Sequence, residues 1–327
     1  MIKFENVVKK YKGNKYVVKD LSFEVAEGET LVLLGKSGCG KSTILRMINR
    51  LIDPTAGNIF VDNENILTQD LNNLRRMIGM AIQGTGLFPH MTIEENISIA
   101  PKLLNWNEEK IDARIDQLLE MVELDKNYRK RFPHNLSGGQ RQRVGVARAL
   151  AADPKILLMD EPFGALDPVT RDQVQQQFLD ILDNETKTTI FVTHDIFEAV
   201  ILADRIVLLD EGRVVQIATP EELIQNPENE FVEAFLGPHM FQLSMMTKKI
   251  GPLVELYEKT KLLERKPKYR LTTKDTLIEA LDVFKVSGLT TLPVLKANRE
   301  IGLLRKQNLT AILIDLLAEK NPEEMLV

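Results

Sequence analysis

The fold is decided by the stretch Gly35-Lys36-Ser37-Gly38-Cys39-Gly40-Lys41-Ser42, which matches the pattern GxxxxGK followed by Ser or Thr. Its glycines let backbone N–H groups turn inward around phosphates, Lys41 supplies a positive charge for the outer phosphates, and Ser42 supplies a hydroxyl to Mg²⁺. The apolar run Thr30–Leu34 predicts a buried strand before this loop, and residues 43–51 predict a helix after it. The positive end of that helix would point at the same anion, so the sequence predicts a phosphate site between a strand and a helix.

A second pattern lies further along the chain, where the apolar run Ile156–Met159 ends in Asp160 and Glu161. At the tip of a strand, Asp160 would lie beside Mg²⁺ with a water between them. Glu161 would act as general base, or would orient water, for attack on a γ-phosphate. Apolar strands that end in acids are common, so this pattern gains its meaning from the phosphate-binding loop before it.

A third pattern, Leu136-Ser137-Gly138-Gly139-Gln140, opens a helix predicted over residues 137–151. Ser137 is a good N-cap residue, and the two glycines leave backbone N–H groups open to an anion. Lying between the phosphate-binding loop and the acidic strand, this pattern resembles the signature sequence of ABC ATP-binding domains. Residues 1–237 resemble a complete domain of that family, with its motifs in order.

The resemblance implies an α/β fold, namely a P-loop NTPase domain whose mixed sheet has a β-rich edge and whose helical subdomain spans about residues 90–150. It also implies ATP and Mg²⁺ as cofactors. The ATP-binding residues that it implies within the chain are Tyr11, which stacks on adenine, and Gly35, Lys36, Ser37, Gly38, Cys39, Gly40, Lys41, Ser42 and Thr43. The catalytic residues that it implies are Lys41, Glu161, His194 at the γ-phosphate, and Gln83, which senses Mg²⁺ and the attacking water. The Mg²⁺ ligands that it implies are Ser42, Gln83 and Asp160.

The ATP site of this family is split between two chains. The phosphate-binding loop and the signature lie on opposite edges of one domain, so two chains pair head to tail to close each site. The residues implied to face ATP held by the other chain are Ser137, Gly138, Gly139 and Gln140, with Asp167 of the D-loop Ala165-Leu166-Asp167. The resemblance therefore implies a homodimer, or a dimer with a paralogue.

The composition limits the partners and the compartment. The chain has 327 residues and a formal net charge of −5, and nucleic-acid partners usually require a basic face, so none is expected. The one cysteine, Cys39, excludes a disulfide within the chain and favours a reducing compartment. We expect Cys39 to pack inside the loop, with a thiol pKa lowered by the helix N-terminus and hence with sensitivity to thiol reagents.

Membrane association is expected to come through other chains. No apolar stretch approaches the roughly 18–20 residues that span a bilayer. The resemblance to importer ATPases places the chain at the cytoplasmic face of the cell (inner) membrane, with two integral-membrane permease subunits and an extracytoplasmic solute-binding protein as partners. Segment Leu87–Thr92 resembles the part of importer ATPases that contacts a permease coupling helix, and His90 within it is expected to position rather than to catalyse.

A second domain is predicted over residues 238–327. Leu277, Ala280, Leu281 and Phe284 form one helical stripe, and residues 292–295 and 301–304 predict two short strands. Their order resembles a single CBS repeat, whereas an OB-like domain needs more strands and an ACT-type domain lacks support. The position of the adenosine-binding motif of CBS repeats reads Arg305-Lys306-Gln307-Asn308, so a dimerisation module and a regulatory sensor both stay open.

An ABC ATPase with a C-terminal CBS segment resembles the ATPases of glycine betaine, carnitine, choline and proline importers. The cargo of such a system is chosen by the binding protein and the permease, because a fold does not fix a substrate. Importers of another small solute, such as an amino acid or a sugar, are the first alternative. Soluble ABC ATPases of translation or DNA repair are the second, although those carry two ATPase domains or a long coiled-coil insert.

Overall fold

The computed structural model describes residues 1–11, 13, 15–82, 84, 86–184, 186–251, 268–296 and 299–318. Gln83, expected at the catalytic and Mg²⁺ sites, lies outside the described residues. The chain divides into two compact units, the N-terminal unit Met1–Thr219 and the C-terminal unit Pro220–Val327. Within the described ranges, no helix has the length and apolar character needed to cross a membrane.

One sheet of the N-terminal unit is antiparallel, with the strand order β2-β1-β4-β5. Its strands are β1 (Ile2–Tyr11), β2 (Lys15–Val25), β4 (Ala56–Val61) and β5 (Glu64–Asn65). Alternate residues of β2 near its end, Leu21, Phe23 and Val25, are buried, as the alternation of apolar and polar residues predicts. This sheet is the β-rich edge implied by the resemblance.

The second sheet is mainly parallel, with the order β10-β9-β3-β8-β7-β6. Its strands are β3 (Thr30–Leu34), β6 (Ile78–Ala81), β7 (Ile156–Asp160), β8 (Thr188–Thr193), β9 (Arg205–Asp210) and β10 (Arg213–Ala218). Every residue of β3, β7 and β8 is buried, as expected for parallel strands covered on both faces. β10 is antiparallel to β9 and follows it after a two-residue turn at Glu211 and Gly212, as the sequence Asp210-Glu211-Gly212-Arg213 predicts. The carboxyl ends of β3, β7 and β8 therefore lie at one edge, where ligands bind in such sheets.

The helices of the N-terminal unit cover this sheet and form the predicted helical region. They are α1 (Lys41–Ile48), α2 (Leu71–Met77), α3 (Ile93–Leu103), α4 (Glu108–Met121), α5 (Gly138–Leu150), α6 (Pro168–Asn184) and α7 (Ile196–Leu202). The mostly apolar run over residues 77–82 predicts a strand; the strand β6 covers only Ile78–Ala81 of it, and Met77 ends α2. The helix predicted over residues 43–51 begins at Lys41 and ends at Ile48.

The C-terminal unit is a small α+β body. Its elements are α8 (Pro220–Gln225), α9 (Glu230–Leu236), α10 (Met240–Thr247), β11 (Leu271–Thr272), α11 (Leu277–Ser287), β12 (Thr291–Lys296), β13 (Arg299–Arg305) and α12 (Lys306–Ala318). β11 and β12 are parallel, and β12 and β13 are antiparallel. The predicted stripe of α11 supplies Leu277, Ala280 and Phe284 to the core of this unit.

The contact boundary at Thr219 and Pro220 differs from the predicted domain boundary after residue 237. The reason is that α8 packs against α10, and α10 packs against α11, so α8 and α10 share one packed body with α11. The boundary after residue 237 and the CBS resemblance of the second domain stay predictions.

Candidate active site

At two positions of the phosphate-binding loop, Gly35 and Gly40, the surrounding backbone leaves no space for a side chain. The loop runs from the end of β3 to the start of α1, and Gly35, Gly38 and Gly40 have φ values of 154°, 84° and 109°. A Cβ at Gly35 would lie 2.3 Å from the carbonyl oxygen of Leu209, and a Cβ at Gly40 would lie 2.7 Å from that of Val17. The loop is therefore shaped by strands β9 and β2 on either side of it.

Lys41 is folded back into this loop. It is 5% exposed, and its Nζ donates hydrogen bonds to the carbonyl oxygens of Gly35, at 2.5 Å, and Lys36, at 3.1 Å. Carbonyl oxygens are weaker partners for an ammonium than phosphate oxygens are, because charge-assisted bonds to an anion are stronger. The loop thus holds a cation where an anion would bind.

Ser42 and Asp160 meet at the carboxyl end of β7. The Ser42 hydroxyl donates a hydrogen bond of 2.9 Å to Oδ1 of Asp160. Asp160 is 1% exposed, and its Oδ2 is buried with no hydrogen-bond partner among the described residues. Burial raises the pKa of this carboxyl. A hydroxyl and an under-coordinated carboxylate are the oxygen donors that Mg²⁺ takes, so these two residues fit that ion.

Glu161 and His194 form a pair beside Asp160. Glu161 has a left-handed φ of 48°, which costs a non-glycine residue about 1–2 kcal/mol, and its N–H donates to the carbonyl of Val192. Its Oε1 lies 3.1 Å from Nδ1 of His194, whose side chain is 62% exposed. Strained backbones of this kind cluster at active sites. The left-handed residue Glu161 thus directly follows β7 and places its carboxylate against the His194 imidazole.

Two adjoining cavities share Glu161. The first, of about 250 Å³, is lined by Tyr11, Val17, Ser37, Gly38, Gly40, Lys41, Ser42, Thr43 and Glu161. The second, of about 370 Å³, is lined by Gly84, Gly138, Arg141, Gln142, Glu161, Gly164, Ala165 and His194. The structure therefore brings together the predicted residues Tyr11, Lys41, Ser42, Asp160, Glu161 and His194.

Gly138 of the signature segment lines the second cavity. Ser137 caps α5 by accepting a hydrogen bond from the N–H of Gln140, whose side-chain oxygen accepts from the N–H of Ser137. A Cβ at Gly139 would lie 3.0 Å from the carbonyl oxygen of Ala165, whereas a Cβ at Gly138 would meet only a side-chain tip at 4.0 Å. The described residues 137–140 are absent from the lining of the first cavity. One chain thus keeps its signature apart from its phosphate-binding loop.

Asp167, of the predicted D-loop, caps the start of α6. Its Oδ1 accepts a hydrogen bond of 3.1 Å from the N–H of Thr170, and this bond lowers the pKa of the Asp167 carboxyl.

The expected lowering of the Cys39 thiol pKa was wrong. Cys39 is 6% exposed and belongs to the main hydrophobic core of the N-terminal unit. Burial raises its pKa, and this effect outweighs the nearby charge of Lys41. The prediction that Cys39 packs inside the loop is confirmed.

Sequence reasoning missed three residues that shape this region. Val17 lines the first cavity and fills the space beside Gly40. Gln142 donates to the carbonyl of Glu161 at 2.5 Å and accepts from the N–H of Ala165 at 2.7 Å. Asn96 is fully buried and hydrogen-bonds the backbone of residues 88, 91 and 92, which fixes the predicted permease-contact segment. An asparagine between the apolar residues of α3 was the available signal for the last of these.

Comparisons with known proteins agree with this geometry. A sequence profile of the family described as ABC transporter matches residues 18–164. The chain is 44% identical over 310 residues to the glycine betaine uptake system ATP-binding protein YehX of Escherichia coli, covering 94% of this chain and 99% of that protein. It is 47% identical over 299 residues to the choline transport ATP-binding protein OpuBA of Bacillus subtilis, covering 91% and 76%.

Other matches cover 67% to 72% of this chain. The chain is 56% identical over 237 residues to the glycine betaine/carnitine/choline transport ATP-binding protein OpuCA of Bacillus subtilis, covering 72% of this chain and 62% of that protein. Among solved structures, a dimeric post-hydrolysis state of the ATP-binding cassette MJ0796 bound to ADP and Pi matches with a TM-score of 0.63 and 36% identity, covering 67% of this chain and 98% of that one. The chain thus spans less than two thirds of the length of several relatives that it matches.

Proposed function

This chain belongs to the ABC transporter family, and we propose that it is the ATP-hydrolysing subunit of an importer for a quaternary-amine osmoprotectant such as glycine betaine, carnitine or choline. One observation carries the ATPase part: the Ser42 hydroxyl, the Asp160 carboxylate and the Glu161–His194 pair adjoin a glycine loop that holds Lys41. The similarity to proteins named for betaine and choline transport supports the cargo.

ATP would enter the first cavity. Tyr11 is exposed at its lining and is available to stack on adenine. The backbone N–H groups from Gly38 to Thr43 would surround the phosphates, and Lys41 would exchange its two carbonyl partners for phosphate oxygens. Cys39 contributes packing beneath the loop rather than a contact to nucleotide.

Mg²⁺ would be held by Ser42 and Asp160, with Gln83 as a further ligand carried over from the resemblance. Among the residues that the structure describes, no three His, Cys, Asp or Glu side chains are grouped so as to hold a metal ion. Mg²⁺ commonly completes its coordination with water and substrate phosphates, which agrees with so few protein ligands. When bound, the ion would neutralise charge on the phosphates during transfer.

Hydrolysis would use the Glu161–His194 pair. The Glu161 carboxylate would accept a proton from the attacking water, and His194 would donate a hydrogen bond toward the γ-phosphate. Because the ionised Glu161 carboxylate can only accept, Nδ1 of His194 would donate to it, and Nε2 would donate toward the γ-phosphate in the form of the imidazole that carries a proton on both nitrogens. The left-handed backbone of Glu161 aims the carboxylate at the shared wall of the two cavities.

A second copy of the chain, or a paralogue, would complete the site. Ser137, Gly138, Gly139, Gln140 and Asp167 of that copy would approach ATP across the interface. The open space beside Gly138 supports such an approach, because a close backbone contact needs a residue without a side chain. The dimeric form named for the solved relative supports pairing as well.

The dimer proposal is tested by complementation. Lys41→Ala should abolish ATP hydrolysis through the phosphate loop, and Ser137→Arg should abolish it through the signature. A mixture of the two inactive variants contains dimers in which the intact loop of one chain faces the intact signature of the other. Recovered ATPase activity in the mixture would support the head-to-tail dimer, and a mixture as inactive as its components would reject it.

The chain would act at the cytoplasmic face of the membrane, bound to two permease subunits that receive cargo from an extracytoplasmic solute-binding protein. Uptake of radiolabelled glycine betaine at high salt, in cells with and without the subunit, tests the cargo. Loss of uptake on deletion, restored by the wild-type chain and not by Glu161→Gln, is the expected result.

A different cargo is the second candidate. The chain is also 47% identical over 238 residues to the sulfate/thiosulfate import ATP-binding protein CysA 2 of Agrobacterium fabrum, covering 72% of this chain and 69% of that protein. Such identity in the ATPase region does not discriminate between solutes. Betaine uptake that is unchanged by deletion, with loss of sulfate or amino-acid uptake, would favour this second candidate.

A further inference from the structure

A buried glutamate on α7 stands outside the proposed ATP site. Glu198 is 8% exposed, and its Oε1 accepts a hydrogen bond of 2.8 Å from Nε2 of Gln175 on α6. The hydroxyl of Thr193, the last residue of β8, hydrogen-bonds the same carboxylate. Of the charged groups that face it, Asp195 disfavours its ionisation and Arg171 favours it, while burial raises its pKa most. Burying a carboxyl group costs free energy because the group loses its hydration, so we ask what the Glu198 carboxyl does in the fold.

The first side of this contact leads to His194. The Thr193 hydroxyl also accepts a hydrogen bond of 3.0 Å from the N–H of Asp195. Asp195 in turn caps α7 by accepting from the N–H groups of residues 197 and 198. Glu198 therefore closes a ring of bonds around the turn that bears His194. Because the His194 side chain is mostly exposed, the position of its imidazole depends on the backbone turn from which the side chain projects.

The second side leads to the loop between β7 and α6. Arg171, one turn before Gln175 on α6, donates a hydrogen bond of 3.0 Å to the carbonyl of Leu166. At the other end of the loop, Gln142 bonds both the Glu161 carbonyl and the Ala165 N–H. A chain of contacts thus runs from Glu161 through this loop and α6 to the turn at His194, and the Glu161–His194 contact closes it.

We propose that Glu198 is a positioning residue that keeps the Glu161 carboxylate and the His194 imidazole in contact and links this pair to the Ala165–Asp167 loop. The inference rests on the proposed ATPase function of that pair. Asp167 is expected to face the partner's nucleotide, so a shift of its loop would reach His194 through α6 and Glu198. Tyr11 and the phosphate-binding loop lie outside this chain of contacts, so Glu198 should affect turnover rather than ATP binding.

The test compares Glu198→Leu with Glu198→Gln in the full-length chain. Leucine removes the acceptor and leaves the Gln175 amide and the Thr193 hydroxyl without it, whereas glutamine keeps hydrogen-bonding groups of the same size. Misplaced catalytic groups cost on the order of tenfold to a hundredfold in rate, so kcat for ATP should fall by that much in Glu198→Leu. KM for ATP should stay near the wild-type value, and Glu198→Gln should restore most of kcat.

A matched control is Glu29→Leu. Glu29 also has a carboxylate with two partners, the N–H of Ala26 and the Arg205 guanidinium, but it lies at the opposite end of β3 from the phosphate-binding loop. It should lose stability in urea unfolding and keep kcat. If Glu198→Leu fails to fold, Thr193→Val removes the hydroxyl with little change in volume and should lower kcat in the same direction.

A second readout does not need ATP hydrolysis. In histidine-labelled protein, the His194 imidazole resonance, identified by its loss in His194→Gln, should move in Glu198→Leu and stay in place in Glu198→Gln and Glu29→Leu. If the wild-type chain hydrolyses no ATP, the proposed function fails while this spectrum still judges the positioning role. Unmoved imidazole resonances in Glu198→Leu, or a kcat equal to that of Glu29→Leu, would overturn the inference.

Discussion

The phosphate-binding loop and the signature segment both place glycines at the start of a helix, yet the chain builds them in opposite ways. Gly35, Gly38 and Gly40 of the loop are left-handed, and two of them are pressed against backbone from other strands. Gly138 and Gly139 of the signature take ordinary helical conformations in α5, which Ser137 caps in a regular way.

The loop is shaped by contacts within its own unit, whereas the signature is the segment for which we propose a partner chain. The conformation of the loop is set by close contacts with strands β9 and β2 of its own unit. The signature is a capped helix in which Gly139 is required by packing against Ala165, while Gly138 faces open space. Among the described residues, a Cβ at Gly138 would meet only the tip of Arg141 at 4.0 Å, and the proposed partner copy would account for a glycine there.

The largest expected effect tests the chemistry that both half-sites serve. Glu161→Gln should lower kcat for ATP by on the order of a hundredfold or more, because it removes the proton acceptor. ATP should still bind, and the unhydrolysed nucleotide should trap the dimer in size-exclusion chromatography. Normal turnover in this variant would show that another group is the base.

The second-largest expected effect concerns the glycines of the phosphate-binding loop. Gly40→Ala meets left-handed strain of about 1–2 kcal/mol and, in addition, a contact with the Val17 carbonyl that costs roughly 1–3 kcal/mol. Gly38→Ala is the control, since it has left-handed φ but nothing within 4 Å of its new Cβ. The free energy of unfolding in urea and the affinity for ATP should both fall more in Gly40→Ala than in Gly38→Ala. Equal losses in the two variants would mean that β2 moves to make room for the new Cβ.

A smaller expected effect concerns the two glycines of the signature segment. Gly139→Ala should be less stable than Gly138→Ala, because its Cβ would lie 3.0 Å from the Ala165 carbonyl oxygen, and that contact, at roughly 1–3 kcal/mol, opposes the gain in helix propensity of about 1 kcal/mol. Gly138→Ala should leave stability unchanged or raise it by up to about 1 kcal/mol, because alanine favours a helix. Gly138→Ala should nevertheless lower ATP hydrolysis and spare ATP binding to the monomer. Full ATPase activity in this variant would argue against close approach of a partner at Gly138.

The pH dependence of stability should carry opposite signs at Asp160 and Asp167. The folded chain keeps the Asp160 proton to higher pH than the unfolded chain, so this group lowers stability as pH rises from the ordinary aspartate pKa through the raised one. Asp160→Asn should therefore be more stable than wild type at neutral pH without Mg²⁺. The pKa of Asp167 is lowered, so Asp167→Asn should be less stable at neutral pH and equal at low pH. Urea unfolding between about pH 3 and pH 8 measures the difference in unfolding free energy between each variant and the wild type. Differences that change with pH in the same direction for Asp160→Asn and Asp167→Asn would contradict the opposite pKa shifts.

The smallest effect concerns Cys39. Since burial raises its pKa and hides its sulfur, a thiol reagent should modify the native chain far more slowly than the urea-unfolded chain. Labelling rates at about pH 8 measure this difference, and comparable rates for the two states would place the sulfur at the surface.

Sequence reasoning located the elements that follow strong local patterns. The buried strands before Gly35 and Asp160, the capped helix after Ser137 and the stripe of α11 are visible because burial on both faces, capping and helical periodicity leave direct marks. Within the helical subdomain expected over about residues 90–150, it assigned no separate helix to α3, although Thr92 and Glu95 form a capping box there. It also misjudged Cys39, because the proximity of a helix N-terminus is readable in the sequence and the depth of the surrounding core is not.

Spacing and residue type were enough to predict the order of the motifs, the mainly parallel α/β class and most of the residues that meet at the candidate site. The tertiary structure alone decided how they meet: the Ser42–Asp160 contact, the strained Glu161 backbone facing His194, and the Glu198 contacts behind that pair. Such contacts join residues far apart in the chain, and their distances and burial arise only when the strands and helices pack.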